Sequence, residues 1–223
     1  MGKYIVKIES INQITHDVIK IVTEKPVGYN FIPGQATGVA INKPDWDKKK
    51  RPLTFTCLPD DNYLEFIIKI YPEHKGVTNE MLSLTEGDEL VLGEVFGSIS
   101  YQGEGVFIAG GSGITPFLSI IRDLHSKNKL VGNVLLFANK TKADIILQKE
   151  IDEMMGDHYI NILSEENING YYYGMVTEDF LKNNIKDFNQ PFYVCGPPPM
   201  MKAVVKSLSD LHVDEKLIIK EAF

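Results

Sequence analysis

Two turns, one rich in glycine and one in proline, stand out because each follows an apolar run and precedes a segment with helical periodicity. The first is AGGSGITP at residues 109–116, with glycines at Gly110, Gly111 and Gly113. Glycine lets the backbone approach a ligand closely, and the unpaired amides of a helix N-terminus favour phosphate. Thr115 is predicted to cap the helix, with Pro116 at its first position. Because proline stands where the usual dinucleotide fingerprint has its third glycine, a tight turn without a ligand stays open as the alternative.

The second turn is FYVCGPPPMM at residues 192–201. Cys195 and Gly196 are predicted at the carboxyl end of a strand, and three prolines fix the chain as it enters a helix. Ligands in open α/β sheets bind outside such strand ends. A buried cysteine is more often a small core residue, which is the alternative for this motif.

An arginine follows three lysines in KKKRPLTFT, residues 48–56. The chain has only two arginines, Arg51 and Arg122. The planar fork of Arg51 suits bidentate phosphate binding in a way that the neighbouring lysines do not. The alternative is a solvated end to a charged loop, since Asp45 and Asp47 are close enough to offset the lysines.

Two shorter features could add to a site. GVT at residues 76–78 is predicted at another helix N-terminus, where its amides and the Thr78 hydroxyl could hold phosphate, although an ordinary helix cap is the alternative. Glu221 and Phe223 follow the predicted strand KLIIK at the C-terminus. An apolar terminal residue beside a carboxylate is unusual, because chain ends normally fray.

The segments that must hold these turns fall into two groups with different periodicity. Up to about residue 103, short period-two segments alternate with turn sequences such as PVGYN and PDDN, a spacing typical of a small antiparallel barrel. These segments are YIVKIES, VIKIVTE, QATGVAI, LTFTC, YLEFIIKIY and ELVLGE, with one helical stretch, GVTNEMLSL. After that point, buried strands alternate with helices, as in a parallel sheet covered on both faces. We therefore predict a two-domain β + α/β protein, with an N-terminal antiparallel β-barrel at residues 1–103 and a parallel α/β domain at residues 104–223.

The composition argues against several classes of function. Of the 223 residues, 43% are apolar and 24% are charged, as in ordinary globular proteins. The net charge of −7 argues against a nucleic-acid or anionic-membrane surface, because phosphate binding needs a positive field over a whole face. Two cysteines are too few for a cysteine-rich metal site, the histidines are scattered, and hydrolase motifs are absent. We expect no metal, no nucleic-acid partner, no membrane insertion and a cytoplasmic location.

Taken in order, RPLTFT, GVT, GGSGITP, CGPPPM and the terminal EAF resemble the ferredoxin–NADP reductase superfamily. The chain looks most similar to the stand-alone bacterial flavodoxin or ferredoxin reductases, and the resemblance covers essentially its whole length. It implies an N-terminal flavin-binding barrel and a C-terminal nicotinamide-nucleotide domain, with the flavin ring between them. It also implies FAD, in preference to FMN, and NAD(P)H as co-substrate.

The resemblance assigns roles on the flavin side to the residues of RPLT. It implies that Arg51 clamps the flavin pyrophosphate and that Thr54 forms a hydrogen bond near the flavin N5. Leu53 occupies the place where the family usually has an aromatic residue against the ring, and Pro52 is counted with the cofactor-binding residues. The flavin phosphates would be bound by Gly76, Val77 and Thr78.

On the nicotinamide side, the resemblance implies that the pyrophosphate and the nicotinamide ribose are received by Gly110, Gly111, Gly113 and Thr115. Cys195 and Gly196 would flank the nicotinamide. Glu221 resembles the family's carboxyl group near the hydride-transfer position, and Phe223 resembles the terminal aromatic that covers the flavin until nicotinamide displaces it. The predicted catalytic residues are Thr54, Cys195, Glu221 and Phe223.

Three departures from the family pattern bear on function. Leu53 removes the expected aromatic stack. Where NADP-specific members often carry arginine, this chain has Asn139, Lys140 and Lys142, and Met175 stands where a second arginine often follows a glycine. The choice between NADH and NADPH is therefore open at this stage.

The leading hypothesis is an FAD-dependent reductase that takes hydride from NAD(P)H and passes single electrons to a separate carrier. Because the chain has no iron–sulfur cysteine pattern, that carrier would be a partner protein such as flavodoxin or ferredoxin. One alternative is a flavin reductase that uses free flavin as its substrate, which Leu53 makes more attractive. The other is a non-catalytic electron-transfer subunit that binds flavin and docks on a larger complex.

Overall fold

The first half of the chain forms an antiparallel sheet. The computed structural model describes residues 3–71 and 73–221, so the predicted site residue Phe223 lies outside the described residues. The strands are β1 (Tyr4–Thr15), β2 (Val18–Glu24), β3 (Ala36–Ile41), β4 (Arg51–Thr54), β5 (Tyr63–Lys69) and β6 (Glu89–Phe96). They lie in the order β4-β3-β6-β1-β2-β5, and a short helix, α1 (Val77–Glu80), follows β5. Each strand carries apolar side chains that pack inside the sheet, as its period-two sequence predicts.

The two edges of this sheet come together just after β4. The predicted strand LTFTC covers residues 53–57, whereas β4 runs from Arg51 to Thr54. Beyond that point the chain leaves β3: the amide of Thr56 donates a hydrogen bond to the carbonyl oxygen of Glu65 on β5, at 3.0 Å. This bond connects the segment just after β4 to β5, the strands at the two edges of the sheet. The sheet therefore curls into a barrel around its apolar core.

The second half forms a parallel sheet. Its strands are β7 (Val106–Gly110), β8 (Val134–Asn139), β9 (Tyr159–Leu163), β10 (Tyr172–Tyr173), β11 (Phe192–Cys195) and β12 (Ile218–Lys220), in the order β10-β9-β8-β7-β11-β12. All of these pairings are parallel. The order reverses between β7 and β11, which makes their carboxyl ends a topological switch point.

Helices cover both faces of the parallel sheet. They are α2 (Thr115–Ser126), α3 (Gln148–Met155), α4 (Glu178–Asn184) and α5 (Pro198–Asp210). Apolar residues of α2 and α3 pack on one face, and those of α4 and α5 pack on the other. The two-domain β + α/β fold class is thus confirmed, while the boundary between residues 103 and 104 stays a prediction. Among the helices described, none combines the length and the apolar character needed to cross a bilayer.

The two sheets pack directly against each other. Val18, Ile67 and Ile99 from the barrel side belong to the same apolar cluster as α2 and β7. The amide of Gly34 donates a hydrogen bond to the hydroxyl of Ser119 on α2, at 2.9 Å. This contact surface holds the start of α2 beside the barrel, where a cavity opens between the two sheets.

Candidate functional site

The candidate site lies at the switch point of the parallel sheet. The turn after β7 continues into a 3-10 turn at residues 111–114 and then into α2, while the turn after β11 leads into α5. The amides of a helix's first turn have no partner within the helix and carry partial positive charge. The start of the helical run after β7 therefore favours an anionic ligand in the crevice, whereas α5 begins with Pro198 and Pro199, which carry no N–H.

A cavity of about 380 Å³ occupies this crevice, a volume within the range of small-molecule sites. Both sheets contribute to it. The barrel side supplies Ala36, Pro52, Thr54, Tyr71 and Phe96. The α/β side supplies Ser112, Gly113, Thr115, Pro116, Cys195, Gly196, Pro197, Pro198 and Glu221. A ligand held here would contact both halves of the protein at once.

Glycines allow the two turns to pack against each other. A Cβ atom on Gly113 would overlap the carbonyl oxygen of Cys195 and lie 2.6 Å from the amide nitrogen of Gly196. A Cβ atom on Gly196 would lie 3.1 Å from Cα of Gly110. The missing side chains therefore let the backbones after β7 and β11 form one continuous floor under the cavity.

Thr115 has a different place in the helix from the one predicted. The N-cap of α2 is Ile114, and Thr115 is the first helical residue. The Thr115 hydroxyl donates a hydrogen bond to the carbonyl oxygen of Ser112 at 3.1 Å, which fastens the preceding 3-10 turn. The prediction of a threonine cap was wrong, because that turn begins the helical run at Gly111 and leaves Thr115 inside it.

Comparison with known proteins agrees with this geometry. Residues 107–206 match the family described as "Oxidoreductase NAD-binding domain". The chain is 31% identical over 226 residues to "NADH-cytochrome b5 reductase 2" of Mycosarcoma maydis, covering 88% of the chain and 62% of that protein. The chain therefore spans less than two thirds of this relative.

Together with the fold, these matches confirm the resemblance to the ferredoxin–NADP reductase superfamily that the sequence motifs indicated.

Two solved structures show how closely the fold follows this superfamily. The "Flavohem-like-FAD/NAD Binding Domain of Nitric Oxide Dioxygenase" from Vibrio cholerae has a TM-score of 0.86 at 21% identity and covers 98% of each chain. A "ferredoxin NADP+ reductase" from Neisseria gonorrhoeae "with bound FAD and NADP" has a TM-score of 0.84 at 19% identity, covering 99% of this chain and 98% of its own. At these identities the likeness concerns the fold alone.

The aromatic residues of the cavity differ from the superfamily pattern that the sequence suggested. The side chain of Leu53 is 9% exposed and packs in the barrel core, while the neighbouring Pro52 and Thr54 face the cavity. Tyr71 and Phe96, which the motifs did not single out, line the same cavity. Tyr71 lies two residues beyond the end of β5, and Ile67 of that strand packs in the apolar cluster of the parallel sheet.

Several of the predicted binding residues do not line the cavity. Arg51 is exposed at the start of β4, and it does not line the cavity. GVT forms the start of α1, where Val77 is 2% exposed and packs in the barrel core. The cavity lining does not include Gly76, Val77 and Thr78 of this segment. It also does not include Leu53, Gly110 and Gly111. Their binding roles stay predictions.

Cys195 and Glu221 both line the cavity. Burial raises the pKa of the Cys195 thiol to about 12, and the nearby Glu221 carboxylate adds to the shift because it disfavours a second negative charge. The thiol is therefore neutral at physiological pH. It can act as a compact, uncharged contact, but it is not primed as a nucleophile.

We expect both thiols of the native protein to react slowly with iodoacetamide. Burial also raises the pKa of Cys57, to about 11, so neither cysteine supplies appreciable thiolate near pH 8. The measurement is alkylation at pH 8 followed by intact mass, with the urea-unfolded chain as the matched control. Rapid labelling of the native protein at pH 8, located at Cys195 by peptide mapping, would contradict a neutral thiol.

Proposed function

We propose that this protein is an FAD-dependent reductase that accepts hydride from NAD(P)H and passes electrons singly to a separate carrier protein. The observation that carries the proposal is the shared cavity, where Thr54 from the barrel faces Thr115 and Cys195 from the switch point. A flavin-side wall and a nicotinamide-side wall thus border one space. The relative named as an NADH-dependent reductase and the neighbour with bound FAD and NADP support the same assignment.

The residues of the cavity fit the two proposed ligands. Tyr71 and Phe96 supply apolar faces against which a flat ring can pack. The exposed Arg51 fork, next to Pro52 on β4, suits a pyrophosphate that extends out of the cavity. The amides at the start of the 3-10 turn, at Gly111 and Ser112, suit a second pyrophosphate. Bound flavin would supply the chemistry, as hydride acceptor and one-electron donor.

The chain's own contribution to the reaction would be alignment and exclusion of water. Hydride transfer needs the two reacting atoms at about 3 to 3.5 Å with aligned orbitals. The Thr54 hydroxyl would orient the flavin edge, while the Cys195 thiol and the Gly196 backbone would hold the nicotinamide against it. Glu221 would supply a carboxylate at the rim, and Phe223 keeps its proposed role as a cover, outside the described residues.

We further propose that NADH is the preferred donor. At the carboxyl ends of β8 and β9, the Lys140 ammonium lies 3.0 Å from a carboxylate oxygen of Glu165. The next carboxylate, Glu166, accepts a hydrogen bond from the amide of Lys142 at 2.7 Å. A ribose hydroxyl can donate to a carboxylate, whereas a 2′-phosphate would be repelled by it. The acidic pair therefore favours NADH, consistent with the name of the fungal relative.

The substitution Glu165→Gln is expected to narrow the preference for NADH over NADPH by roughly 3- to 10-fold, because one like-charge repulsion is lost and Lys140 is released. The measurement is the ratio of kcat/KM for the two donors. Glu178→Gln is the matched control, since Glu178 pairs with Lys182 on the surface of α4. Equal changes in both variants, or a wild-type preference for NADPH, would refute the donor assignment.

The decisive experiment for the function is an anaerobic titration of the purified protein with NADH and with NADPH, followed by flavin absorbance. The proposal expects a yellow protein whose absorbance near 450 nm bleaches with the preferred donor, on the order of one equivalent per flavin. Re-oxidation by a flavodoxin or ferredoxin would then support the carrier assignment. A flavin-containing protein that neither donor bleaches would refute the reductase and favour the non-catalytic subunit.

A flavin reductase that uses free flavin is the second candidate, because one observation favours it. Leu53 faces the barrel core, so β4 offers no aromatic side chain to the ring at that position. A colourless preparation with high turnover of added flavin would establish this alternative.

A cytoplasmic location also stays a prediction, supported by the two free thiols, Cys57 and Cys195.

A further inference from the structure

The second arginine, Arg122, lies at the seam between the two sheets. It is on α2, two turns beyond Thr115, and its side chain is mostly buried. One terminal nitrogen donates to the carbonyl oxygen of Thr56 and to Oε1 of Glu65, both at 2.6 Å. Its Nε and its other terminal nitrogen donate to the two carboxylate oxygens of Glu150 on α3, at 2.6 and 3.0 Å. The guanidinium thus joins the barrel to two helices of the other half.

The barrel partners of Arg122 form the joint that closes the barrel. Thr56 and Glu65 are linked by the backbone bond described above and by the Thr56 hydroxyl, which lies 2.8 Å from Oε1 and 3.2 Å from the carbonyl oxygen of Glu65. Arg122 binds the free carbonyl of one residue and the carboxylate of the other. Arg122 therefore contacts the barrel where the segment after β4 is bonded to β5.

The charges at this joint are matched. Burial by itself would raise the pKa of Glu65, but the charge and hydrogen bonds of Arg122 outweigh that effect and hold the pKa below its ordinary value. Lys20 lies 3.7 Å from the other carboxylate oxygen. A buried ion pair of this kind is costly to break and specifies geometry well, because its hydrogen bonds are directional.

The joint is close in sequence to both walls of the cavity. Thr56 follows Thr54 by two residues, so fixing the Thr56 carbonyl restrains the flavin-side wall. Arg122 follows Thr115 by seven residues, which is about 10.5 Å along a rigid helix that ends at the nicotinamide-side wall. One side chain thus connects the two walls by a short and stiff path.

We propose that Arg122 is a positioning residue for hydride transfer: its contacts with Thr56, Glu65 and Glu150 set the separation between the cavity wall at Thr54 and the wall at Thr115. This inference rests on the proposed function, since it assigns flavin to the first wall and nicotinamide to the second. A displacement of about 1 Å between reacting groups can lower a rate by about 100-fold. A small displacement at this joint would therefore lower the rate of hydride transfer, although Arg122 does not contact the reactants.

The test uses two conservative substitutions, with which we expect the protein still to fold. Arg122→Lys preserves the charge but loses the fork, and Glu150→Gln weakens only the partly exposed side of the joint. Lys127→Gln is the matched control, because Lys127, the residue after the end of α2, forms an exposed ion pair with Asp123 of that helix. For each protein, stopped-flow absorbance gives the limiting rate of flavin reduction and the Kd of NADH. Flavin fluorescence gives the Kd of FAD.

The proposal expects a 10- to 100-fold lower limiting rate for Arg122→Lys and a smaller loss for Glu150→Gln, with both Kd values within about threefold of wild type. The Lys127→Gln control should match wild type. A lower melting temperature with an unchanged limiting rate would overturn the proposal, because it would show a purely structural role. So would a loss confined to the Kd of FAD.

A second measurement separates this inference from the proposed function. If neither donor reduces the wild-type flavin, the reductase assignment fails, and amide hydrogen exchange of the proteins without added donor decides the remaining question. Faster exchange in Arg122→Lys at both residues 54–57 and residues 111–116, and not in Lys127→Gln, would support the coupling of the two walls. Unchanged exchange at either wall would overturn it.

Discussion

Gly113→Ala is expected to abolish productive binding of the nicotinamide nucleotide, with a loss of about 100-fold or more in kcat/KM for the donor. The added Cβ atom would overlap the carbonyl oxygen of Cys195 and lie 2.5 Å from its carbonyl carbon. Both atoms belong to the backbone of Cys195, the last residue of β11, which cannot rotate away as a side chain does. The turns after β7 and β11 must therefore separate, and the floor of the cavity opens.

Gly111→Ala provides the comparison within the same turn. Gly111 has a φ of +50°, and no atom lies within 4 Å of its Cβ position. An alanine there meets backbone strain of about 1 to 2 kcal/mol but no steric overlap. We expect a lower melting temperature in both variants, with the loss of donor binding much larger for Gly113→Ala. Calorimetric titration with NAD⁺ measures the binding, and equal losses in the two variants would contradict the steric argument.

The sequence predicted the parts of the site that depend on the local backbone. Glycine and proline restrict or release φ directly, so the residue types of AGGSGITP and CGPPPM are enough to indicate tight turns at strand ends. The change from period-two segments to strand–helix alternation likewise predicted the two sheets, because each architecture buries its apolar residues with its own period. The short strand β10 and the helix α4 were not predicted.

The parts that the sequence did not reveal depend on contacts between distant segments. Tyr71 follows the end of β5, and the strand's sequence does not show that this end of the barrel meets the second sheet. Leu53 resembled a ring-facing position by its place in the motif, whereas strand alternation turns its side chain into the barrel core. The Arg122 joint unites residues from four separate segments, and no spacing in one chain reports such a meeting.

Arg51→Ala is expected to weaken FAD binding by about 10- to 150-fold, which corresponds to the loss of a charge-assisted phosphate contact worth about 1.5 to 3 kcal/mol. Arg51 is exposed at the mouth of β4, and no carboxylate within residues 3–71 and 73–221 forms an ion pair with it. Its guanidinium therefore has no such competing partner in the described chain. Flavin fluorescence on titration of the apoprotein measures the Kd.

Two further variants distinguish a rigid fork from a diffuse positive field. Arg51→Lys keeps the charge and should recover only part of the affinity, because an ammonium cannot make the parallel pair of bonds. Lys49→Ala removes a neighbouring charge whose ammonium lies 4.2 Å from the centre of the Trp46 ring, and it should leave the Kd of FAD nearly unchanged. If Lys49→Ala weakened FAD binding as much as Arg51→Ala, the whole basic segment 48–51 would act through its field. High salt would then abolish the difference from wild type, whereas a direct bidentate contact retains much of it.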